Sequence, residues 1–367
     1  LKKKHMHNNK KKRVLVAMSG GVDSSVALIK ILEMGYEAIG VTLKLWENRD
    51  KKTNKIIDSD CNSLDAVNGA KMVCDRLGVH HYTLNFIDLF KNKVVENFSD
   101  EYFSGRTPNP CIRCNSIVKW DALINQLDVF DADMIATGHY ARIIKDDNQY
   151  KLCKGLDNIK DQSYMLWQIK KEHLEKTILP LGELNKTEVR DIALEYKLIN
   201  ANRSESMDLC FVVDDDYREF LSEFAPEKIK NVSDGNIENE DGETIGKHSG
   251  YINYTIGQRR GLGLSMPEPR YVKKILPNEN KIIVSKKDNL LSTSCKLSNL
   301  NWMHKTSLPL ECKVRIRYNS KGADAKLYKK NDLYYCDFSE PQLAVTPGQS
   351  IVFYDNDTII GGGIIEE

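Results

Sequence analysis

The chain has 367 residues, of which 41% are hydrophobic and 29% are charged, and its formal net charge is +1. These values are typical of a globular protein of two or three domains. No run approaches the roughly 18 consecutive apolar residues of a membrane-spanning helix, and no apolar signal core follows the basic start. Nine cysteines in so long a chain do not resemble a secreted disulfide framework. We therefore expect a cytoplasmic protein, not bound to a membrane, with most thiols reduced.

The first half alternates strand and helix patterns. Residues 13–18 (RVLVAM) form a short apolar run, and residues 22–35 follow with apolar side chains at helical spacing and a terminal glycine. The same signals predict strands at 37–43, 81–86 and 133–139, with a second helix at 65–78. Strands separated by helices of this length predict an α/β domain with a doubly wound parallel sheet.

The pattern of apolar and turn-forming residues changes in the second half of the chain. Residues 214–263 are turn-rich, and from about residue 271 short alternating runs such as KIIVS, DLYYCDF and SIVFYD predict a small β-barrel. We therefore divide the chain into a basic tail (1–12), an α/β domain (13–212), a small α/β connecting domain (213–272) and a C-terminal β-barrel (273–367).

The motif MSGGVDSS, residues 18–25, lies where the first strand meets the first helix. Gly20 and Gly21 permit a tight turn, and Ser19, Ser24 and the first helical N–H groups can surround a phosphate. The motif lacks the Lys-Ser/Thr ending of a Walker A loop and the glycine spacing of a dinucleotide fingerprint. A serine-capped helix after a glycine turn is the structural alternative, and the strand-to-helix position favours the phosphate loop.

The stretch TPNPCIRCN, residues 107–115, holds Cys111 and Cys114 two residues apart. Such a pair could bind a metal, form a redox disulfide, carry a reactive thiolate or fill a core. A zinc site needs further ligands, and no second cysteine pair or His-x-His spacing follows. The residues alone leave these alternatives open.

The Ser-Gly-Gly-x-Asp-Ser signature resembles the PP-loop of the ATP pyrophosphatases, and nearly the whole chain resembles the MnmA-type tRNA 2-thiouridylases. The matching stretches are MSGGVDSS, GRTPNPCIRCN, IATGHYAR, GLDNIKDQSYML, MDLCFV, YTIGQRRGLG, VTPGQSIVFY and GGGIIE. The resemblance implies ATP-dependent 2-thiolation of the wobble uridine in tRNAs for lysine, glutamate and glutamine. MgATP would adenylate O2, sulfur derived from a cysteine persulfide would attack C2, and AMP would leave. A persulfide donor or sulfur-relay protein would be a partner beside tRNA.

The resemblance also implies site residues. ATP would contact Ala17, Met18, Ser19, Gly20, Gly21, Val22, Asp23, Ser24, Leu43 and Gly138, with Asp23 helping to hold Mg²⁺. The tRNA would contact Asn109, Pro110, Cys111, His139, Asp161, Gln162, Ser163, Arg317, Tyr318 and Gln349. The run KVRIRY predicts a β-strand with Arg315 and Arg317 on one face, and GQRRGLG adds Arg259 and Arg260. Together these two basic clusters favour tRNA over a small acceptor, with the barrel as the tRNA-binding domain. For His139 alone, a satisfied loop histidine is the alternative.

By the same resemblance, Cys210 receives sulfur as a persulfide and Cys114 is the nucleophile that releases it, so that the two close a disulfide. We predict that a helix begins at Cys114, where it favours the thiolate. Many family members carry Asp at the position of Cys111. Cys111, Cys114 and Cys210 together match the ligands by which related thiolases hold a 4Fe-4S cluster. We favour the persulfide route and expect no other metal site.

Two rival functions from other classes remain. A PP-loop ligase or amidotransferase would act on a small metabolite, but the chain shows no glutaminase domain. A non-catalytic RNA-binding protein would use the cysteine pair in a structural zinc site.

Overall fold

The computed structural model describes residues 11–49, 56–57, 64–201, 209–212 and 216–366. Most of the predicted basic tail, residues 1–10, lies outside the described residues. The chain divides into two compact units, the first formed by residues 1–87, 117–163 and 172–207, and the second by residues 88–116, 164–171 and 208–367.

The α-helices, in chain order, are α1 (Val22–Glu33), α2 (Leu64–Arg76), α3 (Ile87–Phe90), α4 (Glu96–Phe103), α5 (Pro110–Arg113), α6 (Lys171–Leu174), α7 (Lys186–Glu195), α8 (Tyr217–Phe224) and α9 (Pro226–Ile229). Two π-helical segments (Lys91–Val95 and Cys114–Ala122) continue α3 into α4 and extend α5. Short 3-10 helices lie at Ser163–Leu166, Tyr251–Asn253, Pro277–Glu279 and Lys287–Leu290.

A parallel sheet forms the centre of the first unit. The strands of this unit are β1 (Arg13–Ala17), β2 (Glu37–Lys44), β3 (Asn48–Arg49), β4 (Ile56–Ile57), β5 (His80–Asn85), β6 (Met134–Ala136), β7 (Ala141–Asp146), β8 (Gln149–Lys154) and β9 (Thr177–Ile178). The sheet order is β5-β2-β1-β6-β9 with every neighbouring pair parallel, whereas β3 pairs with β4 and β7 with β8. Successive β1 residues Val14, Leu15 and Val16 are fully buried, so both faces of the sheet are covered. The predicted doubly wound α/β architecture is confirmed.

Helix ends in this unit follow the glycine signals. Gly35 and Gly78 lie just beyond α1 and α2 with φ of +84° and +69°, a conformation that side chains with a Cβ rarely adopt. The strand predicted at 133–139 is shorter than expected, because β6 ends at Ala136 and Thr137 to His139 leave the sheet.

The second unit contains a small sheet with order β11-β10-β13-β12, built from β10 (Gly235–Glu238), β11 (Thr244–His248), β12 (Tyr271–Leu276) and β13 (Lys281–Ser285). The sequence pattern grouped residues 273–285 with the C-terminal barrel, and the structure corrects this. β13 pairs in parallel with β10, about 45 residues earlier in the chain, and antiparallel with β12. Periodicity shows that a strand is present but not which distant strand it pairs with.

The predicted C-terminal barrel is confirmed. Its strands are β14 (Leu291–Trp302), β15 (Leu310–Arg315), β16 (Ala323–Lys330), β17 (Leu333–Leu343), β18 (Ser350–Asp355) and β19 (Thr358–Glu366). They run in the order β14-β17-β16-β15-β18-β19, and pairing of β14 with β19 closes the antiparallel barrel. Alternate residues such as Ala325, Leu327, Cys336 and Phe338 point into the core.

Candidate active site: the phosphate loop and the cysteine segment

The phosphate loop joins β1 to the N-terminus of α1. The Ser19 backbone N–H donates to Oγ of Ser24 at 3.2 Å, and the hydroxyls of Ser24 and Ser25 each donate to the Gly21 carbonyl at 3.0 Å. The serines therefore fix the loop against the first turn of α1. The first N–H groups of a helix lack intrahelical partners, so this loop is suited to an anion.

Gly20 is required by the space around the loop. Its φ is +76°, and a Cβ here would lie 2.3 Å from the Ala66 carbonyl oxygen in α2. The buried side chain of Asn200 holds the other side, because its Nδ2 donates to the Gly20 carbonyl at 2.9 Å and to Oγ of Ser25 at 2.8 Å. Asn200 was not predicted as a site residue.

Asp23, in the first turn of α1, is bound by two side chains that the sequence did not indicate. Lys186 Nζ lies 2.7 and 2.9 Å from the two carboxylate oxygens, and the Tyr140 hydroxyl donates to Oδ1 at 2.7 Å. The Lys186 side chain is 13% exposed. A half-buried ion pair therefore stands at the edge of the anion site.

The local signal for Lys186 was present in the sequence. Asn185 and Glu188 form a capping box that starts α7, so Lys186 had to be the first residue of a helix. Its contact with Asp23, 163 residues away, depends on the tertiary fold.

Gly138 follows β6 and packs directly on the phosphate loop. A Cβ at this position would lie 2.8 Å from the Asp23 carbonyl carbon and from the Ser24 nitrogen. Only glycine lets this turn approach so closely. Gly138 therefore lies directly against Asp23 and Ser24 of the phosphate loop.

His139 is held in a polar and aromatic setting. Its Nδ1 lies 2.7 Å from the Thr137 hydroxyl, and its ring centroid lies 5.4 Å from that of Trp120. Burial, and secondarily the charge of Lys119, hold the pKa of His139 well below its ordinary value. The imidazole is therefore neutral near pH 7, and any contact with RNA would be a hydrogen bond rather than an ion pair.

The residues Asp161, Gln162 and Ser163 shape a turn. Asp161 Oδ1 accepts from the backbone N–H groups of Gly155 and Ser163, at 3.2 and 3.0 Å, and Gln162 Oε1 accepts from the Tyr140 N–H at 3.0 Å. Asp161 and Ser163 are buried, whereas Gln162 is half-buried. Leu43, predicted near ATP, is a buried residue at the carboxyl end of β2.

The cysteine segment, residues 106–116, belongs to the second unit. Its helix begins earlier than predicted: Pro110 is the first residue of α5, and the Asn109 side chain caps it by accepting from the Ile112 N–H at 3.4 Å. A proline at this position and an asparagine cap favour that start. Cys111 is consequently exposed in the first turn, whereas Cys114 is buried in the second turn rather than at the helix start.

Cys210 lies in a turn, not in a helix. Its neighbour Phe211 packs edge-on against Phe90 and Phe98, with ring centroids 5.7 and 5.1 Å apart. Arg113 Nε donates to a backbone carbonyl of the intervening π-helical segment at 2.5 Å. The run from α3 to α4 therefore contacts both the cysteine segment and the turn that contains Cys210. Cys210 itself is half-buried.

Arg317 differs from its prediction. Strand β15 ends at Arg315, so Arg317 is not on a strand face. Its guanidinium donates to the carbonyls of Leu343, at 3.1 Å, and Ala344. Burial lowers the pKa of Arg317, although the group remains a cation at neutral pH. Arg317 thus fixes a barrel loop through its backbone carbonyls.

Tyr318 and Gln349 lie on the same barrel unit. The Tyr318 ring centroid is 6.2 Å from that of Tyr164. Gln349 Nε2 donates to the carbonyls of Thr107 and Pro108 in the cysteine segment, at 2.8 and 3.2 Å.

Comparison with known proteins covers almost the whole chain. Family profiles match residues 12–214 ("tRNA methyl transferase HUP domain"), 218–286 ("tRNA methyl transferase PRC-barrel domain") and 292–365 ("Aminomethyltransferase beta-barrel domain"). A tRNA-specific 2-thiouridylase MnmA from Carboxydothermus hydrogenoformans is 45% identical over 97% of this chain and 98% of its own length. The protein of that name from Natranaerobius thermophilus is 44% identical over 96% and 97%. The chain belongs to the MnmA family of tRNA-specific 2-thiouridylases.

For this MnmA family member, the three-cysteine cluster does not fit the structure. Cys111, Cys114 and Cys210 are all among the described residues, and within these residues no three or more His, Cys, Asp and Glu side chains are grouped to hold a metal ion. Cys111 is exposed, whereas Cys114 is buried. We derive no step through an iron–sulfur cluster. In the described part of the chain, no helix has the length and apolar character needed to cross a bilayer.

Proposed function

We propose that this chain catalyses ATP-dependent 2-thiolation of the wobble uridine in tRNAs of the lysine, glutamate and glutamine type. The observation that carries the proposal is the identity of 45% to a tRNA-specific 2-thiouridylase over 97% of the chain, which spans the phosphate loop, the cysteine segment and the barrel alike. The proposed partners are tRNA and a persulfide donor or sulfur-relay protein, in the cytoplasm.

The phosphate loop would bind ATP for adenylation of the uridine O2. Ser19, Ser24 and the first N–H groups of α1 would surround the pyrophosphate, and Asp23 would hold Mg²⁺, for which one carboxylate beside the nucleotide phosphates is a common donor set. The ion would neutralise phosphate charge. Lys186, already paired with Asp23, adds a cation at the same edge. Adenylation converts O2 into part of a good leaving group, AMP.

Sulfur delivery would use Cys210 and Cys114. The Cys114 thiolate attacks the inner sulfur of a Cys210 persulfide, which forms the Cys114–Cys210 disulfide and releases hydrosulfide. The hydrosulfide attacks C2, the C2–O2 bond breaks, AMP departs and C2=S forms as the thiol proton is lost. The outer persulfide sulfur is reduced to hydrosulfide while the Cys114 sulfur is oxidised, so a thiol reductant must then reduce the Cys114–Cys210 disulfide to restore the enzyme. Cys111 stands where many relatives carry a carboxylate and would handle that proton.

Recognition of tRNA would combine a flipped-out base with loop contacts. Asn109, Pro110 and Cys111 would face the base. The remaining proposed contacts are His139, Asp161, Gln162, Ser163 and Tyr318, whereas Arg317, predicted with them, donates to two barrel carbonyls. The neutral His139 would act as a hydrogen-bonding group. The side chain of Gln349 already donates to the cysteine segment.

Mass spectrometry of tRNA nucleosides tests the proposal directly. Purified enzyme, unmodified tRNA, MgATP and a small-molecule persulfide should yield 2-thiouridine, and Cys114→Ser or Cys210→Ser should abolish it. Cys312→Ser is the matched control, because burial raises the pKa of that thiol to about 12 and keeps it protonated. Cys111→Asp should retain activity, since it restores the residue of many relatives.

Pyrophosphate release separates the rivals. A tRNA thiolase releases pyrophosphate only with uridine-containing tRNA, a small-metabolite ligase releases it without tRNA, and a non-catalytic RNA-binding protein releases none. Anaerobically purified protein carrying about four iron and four sulfide per chain, lost in Cys111→Ala, would refute the persulfide route.

A further inference from the structure

Arg106, the first residue of the cysteine segment, belongs to an ion-pair network that includes a residue of the barrel. Arg106 Nε donates to Glu101 of α4 at 2.6 Å, and its terminal nitrogens donate to both carboxylate oxygens of Glu366, the last residue of β19, one of them at 3.1 Å. Ser298 of β14 donates to the same Glu366 at 2.5 Å. Such a bidentate, half-buried pair fixes the guanidinium plane as well as its position.

The next two residues are held through their backbone. Gln349 Nε2 donates to the Thr107 and Pro108 carbonyls, and the Thr107 N–H donates to the Pro347 carbonyl at 3.0 Å. Gly348, between these barrel residues, has φ of +89°, and a Cβ there would lie 3.0 Å from the Thr107 nitrogen and oxygen. The barrel loop thus contacts the segment backbone directly.

The barrel loop that contains Gly348 is hydrogen-bonded to β19. The Gly348 N–H donates to the Ile365 carbonyl at 3.0 Å, and the Ile365 N–H donates to the Gln349 carbonyl at 2.9 Å. Two backbone hydrogen bonds therefore join this loop to β19 of the barrel.

The far end of the segment is tied to the barrel through residues 164–169. Nδ2 of Asn115, next to Cys114, donates to the Met165 carbonyl at 3.0 Å. The Tyr164 hydroxyl in turn donates to the Ser350 carbonyl of β18 at 2.7 Å. A second tie comes from β14, where Nδ2 of Asn301 donates to the carbonyls of Trp167 and Ile169, at 2.8 and 2.9 Å.

We propose that the barrel positions the cysteine segment for sulfur transfer, with Gln349 and Arg106 as positioning residues, a conclusion that rests on the function proposed above. The donor capacity of the Gln349 amide is used on Thr107 and Pro108, so Gln349 acts on the thiol geometry rather than on RNA. Both ends of the segment are anchored, which keeps Cys114 buried until a partner reaches it. The rate of a group transfer depends steeply on the positions of the reacting atoms, and a displacement of about 1 Å can lower the rate about 100-fold.

Gln349→Met tests this assignment, since it keeps the side-chain length and removes the donor. Three quantities are compared with wild type: tRNA affinity, tRNA-dependent pyrophosphate release, and single-turnover 2-thiouridine formation by enzyme preloaded with persulfide. We expect the first two within about twofold and the third about 10- to 100-fold slower. Gln342→Met is the matched control, because the Gln342 amide donates to the nearby Glu340 carbonyl of its own strand rather than to the cysteine segment.

Alkylation of individual thiols gives a readout that does not depend on the function. Cys114, 7% exposed in the native protein, should react with iodoacetamide several-fold faster in Gln349→Met, while the fully buried Cys336 should stay protected. Glu366→Gln loosens the same anchor from the other side and should give the same pattern if Gln349→Met does not fold. Reduced tRNA affinity with unchanged Cys114 alkylation would overturn the assignment and make Gln349 an RNA contact. Wild-type values for tRNA affinity, pyrophosphate release, 2-thiouridine formation and Cys114 alkylation would also overturn the assignment. Wild-type enzyme that forms no 2-thiouridine would instead refute the proposed function, and the alkylation result would still decide the positioning role.

Discussion

Replacing Gly138 with alanine should disable the phosphate loop without touching any group that carries charge. The added methyl would lie 2.8 Å from the Asp23 carbonyl carbon and the Ser24 nitrogen, and 2.9 Å from the Asp23 oxygen. All three are backbone atoms in the first turn of α1, so no flexible side chain can move aside. The turn or the loop must shift.

The size of the effect follows from overpacking. Inserting one methyl into a filled site costs about 1–3 kcal/mol. If that cost falls on the ATP-competent loop conformation, ATP affinity falls about five- to 150-fold, since about 1.4 kcal/mol corresponds to tenfold. The same shift moves Asp23 from Lys186 and Tyr140, so tRNA-dependent pyrophosphate release should fall at least as far.

Equilibrium dialysis of ATP and pyrophosphate release with tRNA measure the two effects, and tRNA affinity should be unchanged. Gly69→Ala is the matched control: Gly69 lies within α2, and the nearest atom to its added Cβ would be the Gly20 oxygen at 3.9 Å. That change should leave activity intact and stabilise the helix by about 0.5–1 kcal/mol. Wild-type ATP affinity and pyrophosphate release in Gly138→Ala would refute the packing argument.

Three further outcomes are expected. Lys186→Met should lower tRNA-dependent pyrophosphate release about 100-fold or more while tRNA affinity is kept, because it removes the cation that lies beside Asp23 at the edge of the phosphate site; full turnover would contradict this. Arg317→Ala should lower the free energy of unfolding by about 2–3 kcal/mol in urea, because two barrel carbonyls lose a charged donor; unchanged stability with weaker tRNA binding would make Arg317 a surface contact. Burial alone would raise the pKa of Glu366, but hydrogen bonds from Arg106 and Ser298 outweigh it and lower the pKa below 4.5. That stabilisation is therefore complete above about pH 4.5 and lost as the pH falls through the lowered pKa, and melting curves of Glu366→Gln should lack this dependence.

Local patterns in the sequence determined the elements of the first unit and the chemistry of its loop. A short apolar run bounded by charge and glycine favours a strand buried on both faces, and a glycine after the last apolar position of an amphipathic helix favours its end, so β1, α1, α2 and the phosphate loop were predictable. The cysteine pair was equally visible. Its helix start was not, because the Asn109 cap and Pro110 competed with Cys114 as start signals and the earlier pair prevailed.

Only the tertiary structure decided which distant residues complete the site. Lys186 reaches Asp23 across 163 residues, and Arg106 reaches Glu366 across 260, distances at which no periodic pattern carries information. The pairing of β13 with β10 and the turn of Arg317 toward backbone carbonyls are decided in the same way, by which buried polar groups lack a partner once the chain is packed. Local spacing determines the elements, whereas the requirement that every buried charge and carbonyl be satisfied determines their partners.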